Sequence, residues 1–492
     1  MDSTILSGYN ALVLGKVDEA EALFEQCEDT GVVMAFRSFV VYRRTKNVDD
    51  DVVKQFAEKA FACGLQQADD RHTLFCLGWC HNVRKEHIVA MGWYRMAAKQ
   101  GHIFAQNCLG LCYHRGDGVE KDPASAMYWY RKAAEGEHGY SQAQFNLGSS
   151  YHTVKDYVQA AHWYGKAAEQ GHSQAQLNFG LYYYRGNGMK RDFTRALYWY
   201  RKAEEQGNVI AQFNLGVCYH KGDGVEKDSV CAMQWFRKAA ERGHLPAQCN
   251  LGLCYYKGEG VDMDIEQARH WFQRAADQGN PDAQNNLAMM YYNGYGVEVN
   301  PVEAVHWFRR AAEQRNSDSQ NWLGMCYHDG VGVENSSVNS VYWFRKAAEQ
   351  GNFIAQFNMG VCYRNGDGVY KDISQALAWF RKAAEQGYIN ALYHIVDYYY
   401  NNNYEDVTSV DVKLFHVAAD SGNAKAQVLL GNHYRKDLPK AVQWYHKAAD
   451  QDDTRALVML GWCYALGQGV DMDVIEAKRL FQSASILAQC RV

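Results

Sequence analysis

Apolar residues recur along this chain at the spacing of one face of a helix. In the tract AQFNLGVCYHKGDGVEKDSVCAMQWFRKAAERG, which begins at Ala211, each helical residue turns the chain by about 100°. One apolar stripe is predicted to contain Ala211, Leu215, Cys218 and Tyr219. A second stripe is predicted to contain Ala232, Trp235, Phe236 and Ala239. Between them, KGDGVEKD supplies two glycines for a turn and Asp228 as an N-cap. The pattern predicts a hairpin of two helices, and strand signals are absent from the chain.

This hairpin repeats along the chain. Steps of 36 residues separate the first positions of the regular units, which are Ala175, Ala211, Ala247, Ala283, Ser319, Ala355 and Ala391. Less regular units begin near Ala35, Thr73, Ala105 and Ala143, and at Ala426 and Ala456. About thirteen units fill the 492 residues. Because one hairpin cannot bury its own apolar stripe, neighbouring units must cover it, which predicts an all-α solenoid.

Tryptophan marks the second helix of most units. Each residue of this column is followed by Tyr or Phe, and the column consists of Trp93, Trp129, Trp163, Trp199, Trp235, Trp271, Trp307, Trp343, Trp379 and Trp444. A buried aromatic side chain removes 150–250 Å² from water. We therefore expect these tryptophans to form the core between units instead of stacking on a ligand.

Composition narrows the class of protein. A formal net charge of −5 and a pI near 6.4 argue against a nucleic-acid partner and against a basic membrane-binding surface. No apolar run approaches the roughly 20 residues that cross a bilayer, so no membrane insertion is expected. The first residues lack the basic segment and cleavage site of a signal peptide. These features predict a cytoplasmic protein whose 14 cysteines are reduced.

The repeated unit also resembles a known family. The pattern AQxxLGxxYxxGxGVxxDxxxAxxWYRKAAEQG is similar to the Sel1-like repeat, a relative of the tetratricopeptide repeat, from about Thr73 to Ala484. The resemblance implies a right-handed α/α superhelix of paired helices and a usual role in scaffolding other proteins. Residues 1–66 look more like tetratricopeptide units and are predicted to cap an array at 67–492, whose regular part covers about 175–390.

No reactive constellation stands out. The glycine-rich loops lack the preceding strand and the Lys-Ser/Thr ending of a phosphate-binding loop, so eight copies of one turn indicate architecture. Two groups of residues have helical spacing without four converging metal ligands: Cys76, Cys80 and His81, and Cys108, Cys112 and His114. We therefore expect no metal, no cofactor and no enzymatic activity.

The face of the first helix that the core does not use carries polar and aromatic residues. Its last-but-one position, which we call the His/Tyr/Arg column, is occupied by His114, His152, Tyr184, His220, Tyr256, Tyr292, His328, Arg364, Tyr400 and Arg435. An Asn column borders it and consists of Asn146, Asn178, Asn214, Asn250, Asn286 and Asn358. Phe213 belongs to the same face. The resemblance implies that this helix lines a concave groove, where amides could bind a peptide backbone. The alternative, that the amides bond to a neighbouring helix or loop, stays open for the Asn column.

The sequence thus predicts a non-catalytic scaffold or adaptor that binds a protein or peptide partner along the groove. A regulatory subunit that activates an enzyme, as in relatives that resemble chitin-synthase activators, is the main alternative. A lumenal receptor in protein degradation is disfavoured because a signal sequence and a membrane anchor are missing. The sequence leaves the partner and the oligomeric state open.

Overall fold

The computed structural model describes residues 3–45, 47–63, 70–135, 139–402 and 407–489. The chain divides into two compact units, Met1–Met263 and Asp264–Val492. The predicted boundary between residues 66 and 67, and the first two residues of the expected mature N-terminus, lie outside the described residues.

The first unit contains fifteen helices in its described residues. They are α1 (Ser3–Val13), α2 (Val17–Glu25), α3 (Gly31–Thr45), α4 (Asp51–Ala62), α5 (Arg71–Val83), α6 (His87–Lys99), α7 (Ile103–Arg115), α8 (Pro123–Ala134), α9 (Ser141–Thr153), α10 (Tyr157–Glu169), α11 (Ser173–Arg185), α12 (Phe193–Glu205), α13 (Val209–Lys221), α14 (Ser229–Glu241) and α15 (Leu245–Lys257).

The second unit contains thirteen helices in the part that the structure describes. They are α16 (Ile265–Asp277), α17 (Pro281–Asn293), α18 (Pro301–Glu313), α19 (Ser317–Asp329), α20 (Ser337–Glu349), α21 (Phe353–Asn365), α22 (Ile373–Glu385), α23 (Ile389–Asn401), α24 (Ser409–Asp420), α25 (Ala424–His433), α26 (Leu438–Ala449), α27 (Thr454–Leu466) and α28 (Val474–Gln489).

Within each unit, odd-numbered helices are the first helices of a repeat and pack on the helix that follows. Each even-numbered helix also packs on the first helix of the next repeat. The described residues contain no strand, which confirms the predicted all-α solenoid of helix-turn-helix repeats. The 28 helices supply one repeat more than the thirteen counted in the sequence, because α1 and α2 form a helix pair ahead of the unit near Ala35.

Local sequence sets the ends of the helices as predicted. Asp228 Oδ1 accepts a hydrogen bond from the Cys231 backbone N–H at 2.9 Å, so Asp228 is the N-cap of α14. Gly222 ends α13 in the left-handed region at φ 82°. The second glycine of the loop is required by close packing, because a Cβ at Gly224 would lie 2.5 Å from the Phe193 carbonyl carbon. The loop thus packs directly against the start of the preceding repeat's second helix.

The core lies between the two helices of each repeat. Of the stripe predicted in α13, Ala211, Leu215 and Cys218 are buried, whereas Tyr219 is half-buried. The cysteine column is buried as expected and consists of Cys80, Cys112, Cys218, Cys254, Cys326, Cys362 and Cys463. None of the thirteen cysteines in the described residues takes part in a disulfide bond.

The prediction that the tryptophan column forms the core is wrong for most of its members. Trp163, Trp271 and Trp307 are buried, but the other seven are half-buried. The aromatic residue that follows each tryptophan is buried in the core, as Phe380 is next to the half-buried Trp379. The tryptophan rings lie at the boundary, where a cation can cover them, as Lys382 Nζ does 4.0 Å from the Trp379 ring.

Candidate functional site

The His/Tyr/Arg column is the part of the first helix that packing leaves at the surface. None of its ten residues is buried, and four of them, His114, His152, His328 and Arg435, are exposed. In five of these helices, a buried cysteine stands two positions earlier. A turn of about 100° per residue therefore moves the chain from the core to the open face within one half-turn.

Two members of the column reach the loop of the following repeat. Tyr184 Oη donates a hydrogen bond to Asp223 Oδ2 at 2.7 Å, and burial together with this carboxylate raises the pKa of Tyr184. His220 Nδ1 lies 3.7 Å from Glu259 Oε2. These side chains are thus held by the neighbouring repeat while part of each stays accessible.

Two other members contact the first helix of the following repeat. Arg364 Nη1 donates to His394 Nδ1 at 2.9 Å, and burial and this guanidinium lower the pKa of His394. The ring of Tyr292 lies 5.3 Å from the ring of Trp322. His394 and Trp322 stand at the Asn position of their repeats, so the two columns meet across the repeat boundary.

The remaining predicted residues of this column have different surroundings. His328 is exposed, with its Nε2 4.0 Å from Asp329 Oδ1. Tyr256 is half-buried. Within each of the two units, the members of the column therefore differ in how tightly neighbouring side chains hold them.

Two residues of the Asn column bond to the preceding repeat. Asn146 Nδ2 donates to Asn107 Oδ1 at 2.9 Å, and Asn358 Nδ2 donates to Asn321 Oδ1 at 3.0 Å. Both acceptors stand one position before the Asn column in their own helices. For this pair of residues the geometry favours a structural role in joining neighbouring repeats.

Two further members of the Asn column, Asn178 and Asn214, have different surroundings. Asn178 Oδ1 accepts from Gln174 Nε2 within its own helix at 3.4 Å. The Nδ2 atom of Asn214 is buried without a hydrogen-bond partner. Asn250 and Asn286 are half-buried. The six amides thus do not form one uniform ladder.

Phe213 lies at the edge of the core and not in the open part of the face. Its ring centroid is 5.8 Å from that of Phe236 and 4.8 Å from that of His244. The side chain is half-buried. Packing against the second helix therefore accounts for the preference for Phe at this position.

Sequence reasoning missed a buried glutamine column at the second position of the first helix. Gln284 is fully buried, and its Nε2 donates to the Ala276 carbonyl oxygen at 3.0 Å while its Oε1 accepts from Gln314 Nε2 at 2.9 Å. The buried members are Gln106, Gln144, Gln176, Gln212, Gln248, Gln284, Gln320, Gln356 and Gln427. The signal was the recurrent Ala-Gln pair that opens the units. These amides hold the corner where one second helix meets the next first helix.

One repeat breaks this bonding pattern. Gln212 Nε2 donates to Glu204 Oε1 at 3.3 Å, and Gln212 Oε1 is buried with no partner. In the preceding repeat, Gln206 Nε2 donates to Gln176 Oε1 at 2.8 Å. Arg242 stands at the position of Gln206 and donates to the Gly207 carbonyl oxygen at 2.7 Å instead. Because Arg242 replaces the glutamine of the other repeat, the Oε1 acceptor of Gln212 is left without a donor.

Neither a metal centre nor a membrane-spanning helix is found in the described residues. No three His, Cys, Asp or Glu side chains there are grouped so that they could hold a metal ion. None of the helices that the structure describes combines the length and the apolar character needed to cross a membrane.

The fold and this first-helix face define an α-solenoid of the kind built from tetratricopeptide-like repeats. The Sel1 repeat family model matches eleven segments: 75–102, 103–138, 141–172, 173–208, 209–244, 245–280, 281–316, 317–352, 354–388, 424–453 and 454–487. The chain belongs to the Sel1 repeat family. Repeats of this type commonly mediate protein–protein interaction and are typically non-catalytic.

Two solved structures are similar to this chain, and the first of them supports this assignment. The protective antigen c5321 of uropathogenic Escherichia coli, which has an SLR fold, is 36% identical with a TM-score of 0.54, covering 80% of this chain and 86% of the antigen. A Sel1 repeat protein from Oxalobacter formigenes is 31% identical with a TM-score of 0.45, covering 49% of this chain and 96% of its own. No curated protein matches the chain.

Proposed function

We propose that this chain is a non-catalytic scaffold that binds a protein partner along the open face of its first helices. The contact would use the His/Tyr/Arg column and the residues beside it. Tyr and Arg are enriched among the residues that dominate binding energy at protein interfaces.

One observation carries this proposal. All ten residues of the His/Tyr/Arg column remain accessible, although every one of them sits beside a densely packed helix pair. Polar and aromatic side chains at one repeated position present the same chemistry at successive repeats. An extended partner could therefore bind several repeats at once, and each added contact would raise the affinity through effective concentration.

Site-specific photo-crosslinking tests which face binds. We would place p-benzoylphenylalanine at His328 on the open face, and at Tyr342 on the second helix of the same repeat as the matched control. The two positions are similarly exposed, the side chain of His328 at 47% and Tyr342 at 51%. We expect protein adducts from His328 at least about tenfold more abundant than those from Tyr342, with the same adducts recovered from further positions in the column.

Equal adduct yields from the two positions would contradict the proposal, as would adducts that form only at Tyr342. The absence of protein adducts at every position of the column would also contradict it. The adducts that do form identify the partner by mass spectrometry. They show at the same time whether the partner is an enzyme, as the activator alternative requires.

A further inference from the structure

A cavity of about 300 Å³ opens in the first unit between α3, α5, α7 and α9. These four are first helices of successive repeats, so the cavity belongs to the same face as the predicted columns. It lies in the less regular part of the array, and Asn146, the first residue of the Asn column, is among the residues that line it. Its volume is at the lower end of the range for small ligands and suits one or two residues of a peptide.

A small residue in α7 makes room for this cavity. In four other repeats a phenylalanine lies against the aromatic ring of the second helix, as Phe357 does with its centroid 5.6 Å from Phe380. Asn107 stands at that position in α7, and Cys108 follows it. Both residues line the cavity, and the shorter Asn107 side chain leaves the space that a phenyl ring fills elsewhere.

Aromatic rings form the walls. The ring centroids of Tyr42 and Trp79 are 4.9 Å apart, and Phe39, Phe104 and Tyr140 also line the space. Such walls favour the apolar part of a ligand, because aromatic side chains provide large contact surfaces with few rotatable bonds.

The floor of the cavity holds a polar group without a partner. Tyr94 is only 2% exposed, and its hydroxyl makes no hydrogen bond. The Cys108 thiol is its neighbour, without the geometry of a bond to it. A buried hydroxyl left in this state costs free energy in the absence of a ligand. Tyr94 is therefore poised to donate its proton to an acceptor that enters the cavity.

Further donors stand at the walls and rim. Arg43 Nη1 is held by Tyr140 Oη at 2.8 Å, which fixes the guanidinium at the cavity wall. Arg115 and Asn82 line the cavity, and their side chains make no hydrogen bond or ion pair within the described residues. Asp117 lines it as well and accepts no hydrogen bond from Arg115 in that part of the chain.

We propose that this cavity binds a carboxylate-bearing residue of the partner polypeptide, with its apolar portion against Tyr42 and Trp79. Arg43, Arg115 and the Tyr94 hydroxyl would donate to the carboxylate, since guanidinium groups match its planar geometry. Asp117 would accept a backbone N–H of the same peptide. This combination favours an amino-acyl ligand over a simple inorganic anion, which offers Asp117 no donor.

The carboxylate can come from two sources, a chain terminus or an acidic side chain. Three probes separate them: acetyl-Gly-Phe with a free carboxylate, acetyl-Asp-Phe amide and acetyl-Gly-Phe amide. Ligand-observed NMR titration of the full chain would give each dissociation constant. We expect at least one acid to bind about tenfold or more tightly than the neutral amide, and the tighter acid identifies the source.

Two substitutions locate the binding in the cavity. Arg115→Gln should abolish most of the preference for the acid, whereas Arg185→Gln, at the same position of another repeat and equally exposed, should preserve it. Tyr94→Phe should weaken acid binding several-fold while the melting temperature stays unchanged or rises, because it removes a buried hydroxyl without a partner.

Three results would overturn the inference: equal binding of acids and amide, equal losses in the Arg115 and Arg185 variants, or no binding of any probe up to about 10 mM. The inference rests on the proposed function, because it takes the carboxylate from a protein partner. The two can still fail separately. If His328 forms adducts but acid and amide probes bind equally, only the proposal for the cavity is rejected. If the acid probes bind selectively but no adducts form, only the proposal for the extended surface is rejected.

Discussion

The regular repeats and the repeats that depart from the common pattern use the same helix pair and treat polar groups differently. In a regular repeat, the side-chain amide of the buried Gln284 is fully bonded: its N–H donates a hydrogen bond and its carbonyl oxygen accepts one. In the irregular part of the first unit, the buried hydroxyl of Tyr94 has no partner and faces a cavity. Unpaired polar groups occur in both regions and differ in where they lie: Tyr94 lines a cavity, whereas Gln212 of the regular repeat that begins at Ala211 has its unpaired Oε1 in the packed corner between helices.

The repeat that begins at Ala391, at the end of the regular part, contains a buried carboxylate that pairs with an arginine of the repeat before it. The Asp411 side chain is completely buried, and its Oδ1 accepts from Arg381 Nε at 2.7 Å. Tyr399 Oη donates to its Oδ2 at 3.0 Å. At the equivalent boundary one repeat earlier, between the repeats that begin at Ser319 and Ala355, Arg345 donates only to Tyr363, at 3.3 Å. Departure from the pattern here adds a buried ion pair that the regular repeats do without.

The largest effect is expected where a regular loop touches its predecessor. A Cβ at Gly260 would overlap the Ser229 carbonyl oxygen, and the residue also has φ 78°. Gly260→Ala should therefore destabilise the fold by about 3 kcal/mol or more, since backbone strain and a steric clash add. Thermal unfolding of the full chain measures the loss.

Gly243→Ala is the matched control for strain alone. Gly243 has φ 86°, but a Cβ there would meet no atom within 4 Å. Its loss should stay near 1 kcal/mol, the ordinary penalty for a left-handed residue with a side chain. Similar losses in the two variants would show that the contact between loop and preceding repeat contributes nothing.

A smaller loss of stability is expected when the arginine of the buried ion pair is removed, and a still smaller one when an arginine of a regular repeat is removed. Arg381→Ala leaves Asp411 buried without its cation and should reduce the opening free energy of α23 and α24 by about 3 kcal/mol. Arg345→Ala removes one hydrogen bond at the surface and should cost about 1 kcal/mol or less. Native-state hydrogen exchange measures both values.

The effect at Asp411 should also depend on pH. Burial raises the pKa of Asp411, but the hydrogen bonds from Arg381 and Thr408 outweigh it, so that the pKa lies below the ordinary value of an aspartate. The stabilisation is therefore present above about pH 4 and is lost as the pH falls through the lower folded value. The difference between the wild-type chain and Arg381→Ala should shrink toward pH 3. A difference that is constant from pH 7 to pH 3 would refute the ion pair.

The smallest predicted effect is a gain in stability from giving the unpaired Gln212 Oε1 a hydrogen-bond donor. Arg242→Gln places an amide where Gln206 stands in the preceding repeat, and it should donate to the unpaired Gln212 Oε1. We expect a gain of about 1 kcal/mol in the stability of that repeat, read from hydrogen exchange in α14. Arg315→Gln serves as a control outside this corner and should give no comparable gain. A loss in the Arg242 variant would show that its bond to the Gly207 carbonyl oxygen matters more than the missing amide.

Periodicity predicted the fold well because helix pairs are local. The 36-residue step, the N-cap at Asp228 and the buried cysteine column all follow from spacing and residue type within one unit. The burial of tryptophan did not follow from spacing. Neighbouring positions in a helix differ by about 100°, so a stripe of that width cannot tell Trp379, which is half-buried, from Phe380, which is buried. Only packing decides which of the two rings enters the core.

The candidate site was less predictable because it depends on contacts between repeats. Asn146 looks the same in sequence as Asn214, yet one bonds to Asn107 and the other has a buried, unpaired amide nitrogen. The residue one repeat earlier decides the difference. The cavity was out of reach for the same reason, since Arg43 and Arg115 come from repeats that are irregularly spaced in the sequence.

The contact between a loop glycine and the preceding repeat has a consequence for how such a chain can change its length. The two contacting residues stand thirty-one positions apart from Gly118 and His87 onward, and the offset is the same at Gly469 and Leu438 near the other end. An insertion between the two residues would separate them and break the contact. Duplication of one full 36-residue step instead gives the new repeat both a loop glycine and the helix start that this glycine contacts. Growth by whole repeats is thus the mode of evolution that this architecture tolerates.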